Sequence, residues 1–499
     1  MKAVYLRWLL ASIFALQAAA PAAAQTMAIS DQPAIARADT AIPDTAAGRA
    51  FSQWLAAMES GDEAQVRAFL SAYASSVTVA SQMRLIDLSG GFEVVRVIAS
   101  KPLEVEVLIR DKHSGMAWLR QLAVTADDPP RLDKLWIRSA PAQWAPRPSA
   151  PDAASSAAFD AQLAADLSRI GDRHAAKDRF AGTVLLMHNG QVVLHQAWGL
   201  ANRESGTANG PDSGFRIGSM NKMFTAVATL QLVAAGKLSL DDTVGQVLPD
   251  YPNRAIAKTV TVRHLLTHSG GTGDIFGEQF DANRLSLKEH SDYVALFGKR
   301  LPGHALGEFH YSNYGFVLLG AVIEKVTGGP YDDYVRKHIF EPAGMTATGA
   351  LPETQVRSRL TTGYTFAAGK WADASDTLPY RGTSAGGGYS TAGDLVRFAV
   401  ALQSGRLLPQ HLLQAATRGH VIPQYGQGFM LGGEGFNEWY GHYGGSRGMN
   451  GLLRIYPESG YVAVALSNLD PPAADALIVL LDQRLPLVLR PTAAIALKP

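Results

Sequence analysis

The chain of 499 residues contains no cysteine. That excludes disulfides, a thiol nucleophile and the lipid-bearing cysteine of an anchored lipoprotein. It has no block of like charge either: Lys and Arg number 45, Asp and Glu 44, and the formal net charge is +1. Nucleic acid and anionic membrane surfaces both call for a basic tract and are therefore poor partners. Past the N-terminus no apolar run reaches eighteen residues, so no membrane-spanning helix is expected. What is present, 47% hydrophobic and 18% charged residues, is the composition of a globular protein long enough for two to four domains.

The N-terminus reads as a signal peptide. Lys2 and Arg7 precede an apolar stretch from Trp8 to Ala20, and Ala22-Ala23-Ala24 offers a cleavage site. Residues 1–24 are thus expected to be removed, leaving a periplasmic or secreted protein without stable membrane insertion. From Phe51 to Ala72, apolar residues recur at helical spacing. Strand-like runs follow at Phe92–Ile98, Leu103–Val107, Met116–Thr125 and Leu132–Arg138. A helix and then an antiparallel meander predict a small α+β domain over residues 25–140. Trp54, Trp118 and Trp136 read as its core. Residues 141–156, rich in Pro, Ala and Ser, read as a linker.

The second domain, residues 157–499, opens with a helix expected over Ala157–His174. Two strands flank Asn189-Gly190, a strong hairpin signal. A long helix is expected from Ser219 to a stop at Gly236. Strands recur near the end, at Gly451–Tyr456 and Tyr461–Ser467, with a last apolar helix from Ala473 to Arg484. Strands at both ends of this domain, with helices between them, suggest one antiparallel sheet carrying an inserted helical region.

Three segments carry chemistry. Ser219-Met220-Asn221-Lys222 has the form S-x-x-K at the start of an apolar helix. Residues three apart share a helix face, so the lysine amine reaches the serine hydroxyl. A serine hydroxyl is a weak nucleophile until a base takes its proton, and a lysine depressed by burial serves as that base. Met220, Met223 and Phe224 supply apolar surroundings. Next, Tyr311-Ser312-Asn313 precedes an apolar helical run. Its tyrosine suits a proton shuttle, and its amide suits both the lysine and a substrate carbonyl. Third, Gly441-His442-Tyr443-Gly444-Gly445 precedes a strand. His442 is of a type that exchanges protons near neutral pH. The glycines let backbone approach a ligand, with the N–H of Gly445 pairing that of Ser219 as an oxyanion hole.

Other signals lead elsewhere. Tyr251-Pro252-Asn253 repeats the Y-x-N pattern but sits in a turn. Gly444-Gly445-Ser446-Arg447-Gly448 matches G-x-S-x-G, yet a strand follows where a nucleophile elbow needs a helix. His264 and His268 are four apart, but Leu265 stands where a metallopeptidase has Glu, so packing or hydrogen bonding is expected of them. Asp241 and Asp242 read as a solvated turn or helix cap. No metal and no cofactor is implied.

S-x-x-K, Y-x-N and H-x-G, in this order and with 92 residues from Ser219 to Tyr311, resemble the serine β-lactamase, penicillin-binding protein and esterase superfamily on its class C side. Phe215–Gly218, Leu238–Asp242, His264–Gly271 and Ala385–Thr391 match as well, and the similarity covers about Ala157 to Arg484. The resemblance implies an antiparallel sheet flanked by helices, with an all-helical subdomain, behind the small α+β domain. It implies that Ser219 is acylated, that Lys222 and Tyr311 handle protons, that Asn313 orients substrate, and that His442 to Gly445 form the edge strand beside the site. His442 stands where β-lactamases carry Lys, and Tyr443 where they carry a small hydroxyl residue. Both changes weaken the binding of a substrate carboxylate, although Arg447 is a cation nearby. The E-x-x-L-N segment of class A enzymes is missing. The expected function is therefore acyl transfer from ester, amide or D-amino-acid peptide substrates to water. The alternatives are a true β-lactamase or D,D-carboxypeptidase, and a non-catalytic binding protein that senses wall fragments.

Overall fold

The computed structural model describes residues 40–475, apart from 76, 113–116, 140–152, 357–359, 368, 434–437, and also 477, 478, 481 and 485. The expected signal peptide and most of the expected linker lie outside these residues, as does much of the helix expected over Ala473–Arg484. The chain forms two compact units, Met1–Arg147 and Pro148–Pro499.

In the first unit the helix expected over Phe51–Ala72 is two, α1 (Ala46–Ser60) and α2 (Glu63–Ala72). Gly61 closes α1 in the left-handed conformation, and the Asp62 carboxylate accepts from the Ala64 N–H to start α2. A third helix, α3 (Val79–Ser89), went unread. Thr78 caps it, but its apolar spacing is weak. The strands β1 (Phe92–Lys101), β2 (Glu104–Asp111), β3 (Ala117–Val124) and β4 (Leu132–Ser139) form an antiparallel meander in chain order. Helix α1 packs on this sheet through Phe51 and Trp54, both fully buried, against Phe92 and its neighbours. Burying two such aromatic side chains contributes roughly 1.5–3 kcal/mol each. Trp118 is buried too, with its indole N–H on Asp111. Trp136 is not core: it lies on the edge strand β4 and is 56% exposed.

The second unit begins with α4 (Ala153–Ala176), whose first residues fall inside the expected linker. The hairpin β5 (Gly182–His188) and β6 (Gln191–Trp198) turns at Asn189 and Gly190, with φ of +47° and +82°. Three late strands join it: β8 (Trp439–Ser446), β9 (Met449–Tyr456) and β10 (Tyr461–Ser467). A short β7 (Met430–Gly432) pairs only with Trp439–Gly441, so that from His442 onward β8 is the edge strand of the sheet. The sheet order is β7-β8-β9-β10-β5-β6, and every pair is antiparallel. One sheet is thus assembled from both ends of the unit. Helix α4 is tied to β6 by the Trp198 indole N–H on Asp172 (2.8 Å) and the Ser168 hydroxyl on Gln196 (2.8 Å).

Between these ends run α5 (Asn221–Ala234), α6 (Asn313–Thr327) and α7 (Ala392–Gln403), among shorter helices. Helix α5 is apolar on every side because it is surrounded: from Asn221 to Leu230 every residue is buried. Phe224 makes edge contacts with Phe340 (5.1 Å) and Phe398 (4.9 Å). Truncating it to alanine would cost about 3–5 kcal/mol. The core joins these helices to Leu185, Leu453 and Val464 of the sheet. It holds the start of α5 rigidly against the sheet edge.

Candidate active site

The helix expected from Ser219 begins as a single 3-10 turn, Gly218–Met220, before α5. Just upstream, Arg216 is buried and forks onto Glu353, with Nε to Oε1 at 3.0 Å, while another of its nitrogens donates to the Thr361 carbonyl. The Ile217 N–H donates to the Gly388 carbonyl, and the Asn221 amide to the Thr383 carbonyl. The turn is therefore clamped by the segment 383–388. Strand β8 approaches so closely that a Cβ on Gly444 would lie 1.9 Å from the Ile217 carbonyl oxygen and 3.2 Å from the Ser219 nitrogen. Only glycine fits there, and the contact lays the backbone of the edge strand against the Ser219 turn.

Lys222 is fully buried on the first turn of α5. Its Nζ lies 3.2 Å from Ser219 Oγ, 2.7 Å from Asn313 Oδ1 and 2.6 Å from the Ala385 carbonyl oxygen. Burial lowers the ammonium to about 7, while the Asp274 carboxylate acts in the opposite direction. A neutral amine keeps two N–H bonds for the two short contacts, which leaves its lone pair facing the Ser219 hydroxyl.

Asn313 is fixed by its neighbours. Asp274 Oδ1 is an acceptor 2.9 Å from its Nδ2, so its Oδ1 must face Lys222. Ser312 caps α6, its hydroxyl accepting from the Gly315 N–H. That cap places Tyr311 just outside the helix and Asn313 at its first position, which explains the spacing in Y-x-N. The Tyr311 hydroxyl is hydrogen-bonded to Ser219, and its ring stands 4.7 Å from Lys222 Nζ. Burial raises its pKa above the usual tyrosine range, so it is protonated at neutral pH. Ser219, Lys222, Tyr311 and Asn313 thus converge, with Gly444 and Gly445 beside them.

His442 is placed differently from expectation. It is 2% exposed, and burial followed by the charge of Lys222 lowers it to about 3. Nδ1 lies 2.6 Å from the Tyr443 carbonyl oxygen and Nε2 lies 3.2 Å from the Tyr425 hydroxyl. The geometry therefore does not fit proton exchange by His442 near neutral pH.

Asp274 and Tyr425 escaped sequence reasoning, and two groups it had noted were not assigned to the site: His268, expected to pack or hydrogen-bond, and the carbonyl of Ala385. Each lies on a loop or helix end and has no fixed spacing to Ser219. His268 is buried and hydrogen-bonds Tyr425, whereas His264 only closes the Thr261 cap. Tyr251 pairs with Tyr314, and Asn253 caps a short helix, so the second Y-x-N is structural. Ser446 sits in the β8–β9 hairpin. Among the described residues no cluster of His, Asp and Glu is arranged to hold a metal, and no helix is long and apolar enough to cross a membrane.

A model of the Beta-lactamase family matches residues 159–484. Penicillin-binding protein 4 of Amycolatopsis lactamdurans is 33% identical over 297 residues, covering 55% of this chain and 77% of that protein. Esterase EstB of Burkholderia gladioli is 32% identical over 297 residues, covering 52% of this chain and 75% of that protein. The structure of the D-amino acid amidase from Ochrobactrum anthropi SV3 superposes with a TM-score of 0.55 at 26% identity, covering 64% of this chain and 97% of that one.

Proposed function

This chain belongs to the beta-lactamase family, and from that premise we propose that it transfers an acyl group from an ester, amide or D-amino-acid peptide to water through Ser219. It is a serine hydrolase. The observation that carries the assignment of roles is Lys222: buried, lowered to about 7, and 3.2 Å from the Ser219 hydroxyl. In its neutral form it takes the serine proton as Oγ bonds to the substrate carbonyl carbon. The backbone N–H groups of Ser219 and Gly445 receive the developing oxyanion. Tyr311, protonated and bonded to Ser219, delivers a proton to the leaving alcohol or amine. Water then attacks the acyl-serine by the reverse route and frees Ser219.

The edge strand favours esters, amides and D-amino-acid derivatives over substrates anchored by a carboxylate. Where a permanent lysine charge would sit, His442 is buried and neutral. The relatives fit this range: one is an esterase and one a D-amino acid amidase. Residues 1–24 act as an export signal, 25–140 form a separate α+β domain and 157–499 the hydrolase, which works outside the cytoplasm; the linker that begins at 141 ends where α4 starts, at Ala153.

The test is a fluorophosphonate, followed by intact mass, on the wild type and Ser219→Ala. One adduct on the wild type and none on the variant supports the assignment; no adduct on either removes it. A panel of short-chain esters, D-amino-acid amides and a chromogenic cephalosporin then decides the substrate. Turnover of the cephalosporin alone would overturn the reading of His442.

A further inference from the structure

Behind the site, four hydrogen bonds run from Ser312 to Tyr443. The Ser312 N–H donates to His268 Nδ1 at 3.0 Å. His268 Nε2 lies 3.0 Å from the Tyr425 hydroxyl, which lies 3.2 Å from His442 Nε2. His442 Nδ1 lies 2.6 Å from the Tyr443 carbonyl oxygen. The two ends fix the direction of all four. A backbone N–H can only donate, so His268 Nδ1 is an acceptor and, in the neutral ring, Nε2 carries the proton. A carbonyl can only accept, so His442 Nδ1 carries the proton and Nε2 is the acceptor. The Tyr425 hydroxyl then accepts from His268 and donates to His442. No donor and no lone pair in the chain of bonds is duplicated.

All three side chains are buried. Their surroundings favour the neutral rings. His268 faces Lys222, His442 and the Tyr311 ring (4.3 Å), and burial first, then the proximity of Lys222 and of the His442 ring, holds it well below the usual histidine range. His442 faces Lys222, the Tyr311 ring (6.4 Å) and Tyr425. Asp274 acts on Lys222 and Tyr311. Burial keeps Tyr425 protonated.

One end of the chain is the backbone between Tyr311 and Asn313. The other is the strand that carries Gly444 and Gly445 against Ser219. We propose that Tyr425 is a positioning residue that, through two neutral histidines of opposite tautomer, His268 and His442, locks the Tyr311–Asn313 segment to the edge strand. It never touches substrate; it sets the separation between the proton-handling side of the site and the oxyanion side. The inference rests on the acyl-serine reading for its effect on rate, but its geometry is testable without turnover.

The experiment is long-range proton–nitrogen NMR on the mature wild-type chain labelled with [15N]histidine, from pH 4.5 to 8, beside Tyr425→Phe. The substitution keeps the ring and removes only the hydroxyl. In the wild type, two rings that do not titrate across this range are expected, one protonated at Nε2 and one at Nδ1. In Tyr425→Phe both change shift, and His442, freed from a donor to its neutral form, protonates more readily, so that its titration enters the measured range from the acid side. Ester kinetics should show kcat down by about 10–100-fold with KM nearly unchanged, and an acid limb that steepens from one proton toward two. A filling role alone would leave the acid limb unchanged. Two non-titrating rings of the same tautomer overturn the proposal, as does a Tyr425→Phe enzyme with wild-type kcat and acid limb. If that variant fails to fold, the wild-type tautomers decide. Fluorophosphonate labelling of the same sample keeps the outcome separate from the fate of Ser219 as nucleophile.

Discussion

Each unit of this molecule holds a cation that is almost wholly shut off from solvent, Arg120 in the first and Lys222 in the second, and the two are used in opposite ways. In the first unit Arg120 is 1% exposed and lies over the Trp54 ring at 4.1 Å. Among the described residues its Nε and Nη2 have no hydrogen-bond partner. Burial lowers it, but only to about 9, so it is charged at neutral pH, with the face of an indole as its stabilising surface. In the second unit Lys222 is as deeply buried, has three oxygen neighbours, and reaches about 7. The difference is one of starting point and neighbourhood. Desolvation drives both groups toward the neutral form, but a guanidinium starts too high to arrive there. A lysine does arrive, and beside it lies a hydroxyl with a proton to give. Burying a charge makes a base only where the residue type and the adjoining atom both allow it.

The largest test of this contrast removes the adjoining atom. Ser219→Ala should lower kcat by at least ~10³-fold with thermal stability within ~1 kcal/mol, measured by ester hydrolysis and melting. Lys222→Arg asks whether position or basicity matters. It keeps a cation that cannot become neutral, and a loss of ~10²–10⁴-fold in kcat/KM is expected. Near-normal rates in Lys222→Arg would break the comparison.

The pH dependence sharpens it. The rate needs neutral Lys222, so kcat/KM should rise about tenfold per pH unit below pH 7 and level above it. Stability should follow the same group. The folded state releases the lysine proton above about 7, whereas the unfolded chain keeps it to 10.5. The unfolded state therefore binds more protons across that window, and stability rises with pH there by up to about 1.4 kcal/mol per unit. Denaturant titrations of Lys222→Met should lack this slope. Smallest in its effect on rate is Arg120→Ala. Loss of packing against Trp54 should cost about 2–4 kcal/mol, while kcat/KM of the folded fraction stays within twofold. A matching loss of kcat would mean that Arg120 contributes to catalysis after all.

Much of this was legible from residue order. Ser219 and Lys222 announce themselves because helix geometry turns a spacing of three into contact. Tyr311 and Asn313 follow from a capped helix start, and the Asn189-Gly190 hairpin from its turn chemistry. The break at Gly61-Asp62 carried a written signal, a C-terminal glycine followed by an N-cap, but continuous apolar spacing on either side concealed it. Asp274 and Tyr425 had no such marker, and His268 was legible only as a packing or hydrogen-bonding residue. Each takes its meaning from a partner 39 to 157 residues away.

The case of His442 divides the two kinds of knowledge most clearly. The sequence by itself determined that a histidine stands in a glycine-rich segment just ahead of a strand, and that the reactive serine and lysine share a helix face. Both are matters of local geometry. Only the tertiary structure decided that this histidine is dry, neutral and fully hydrogen-bonded, and that Lys222 sits near 7 rather than near 10. Protonation is set by desolvation and by the charges and carbonyls brought alongside, and those come from segments that meet only once the chain has folded.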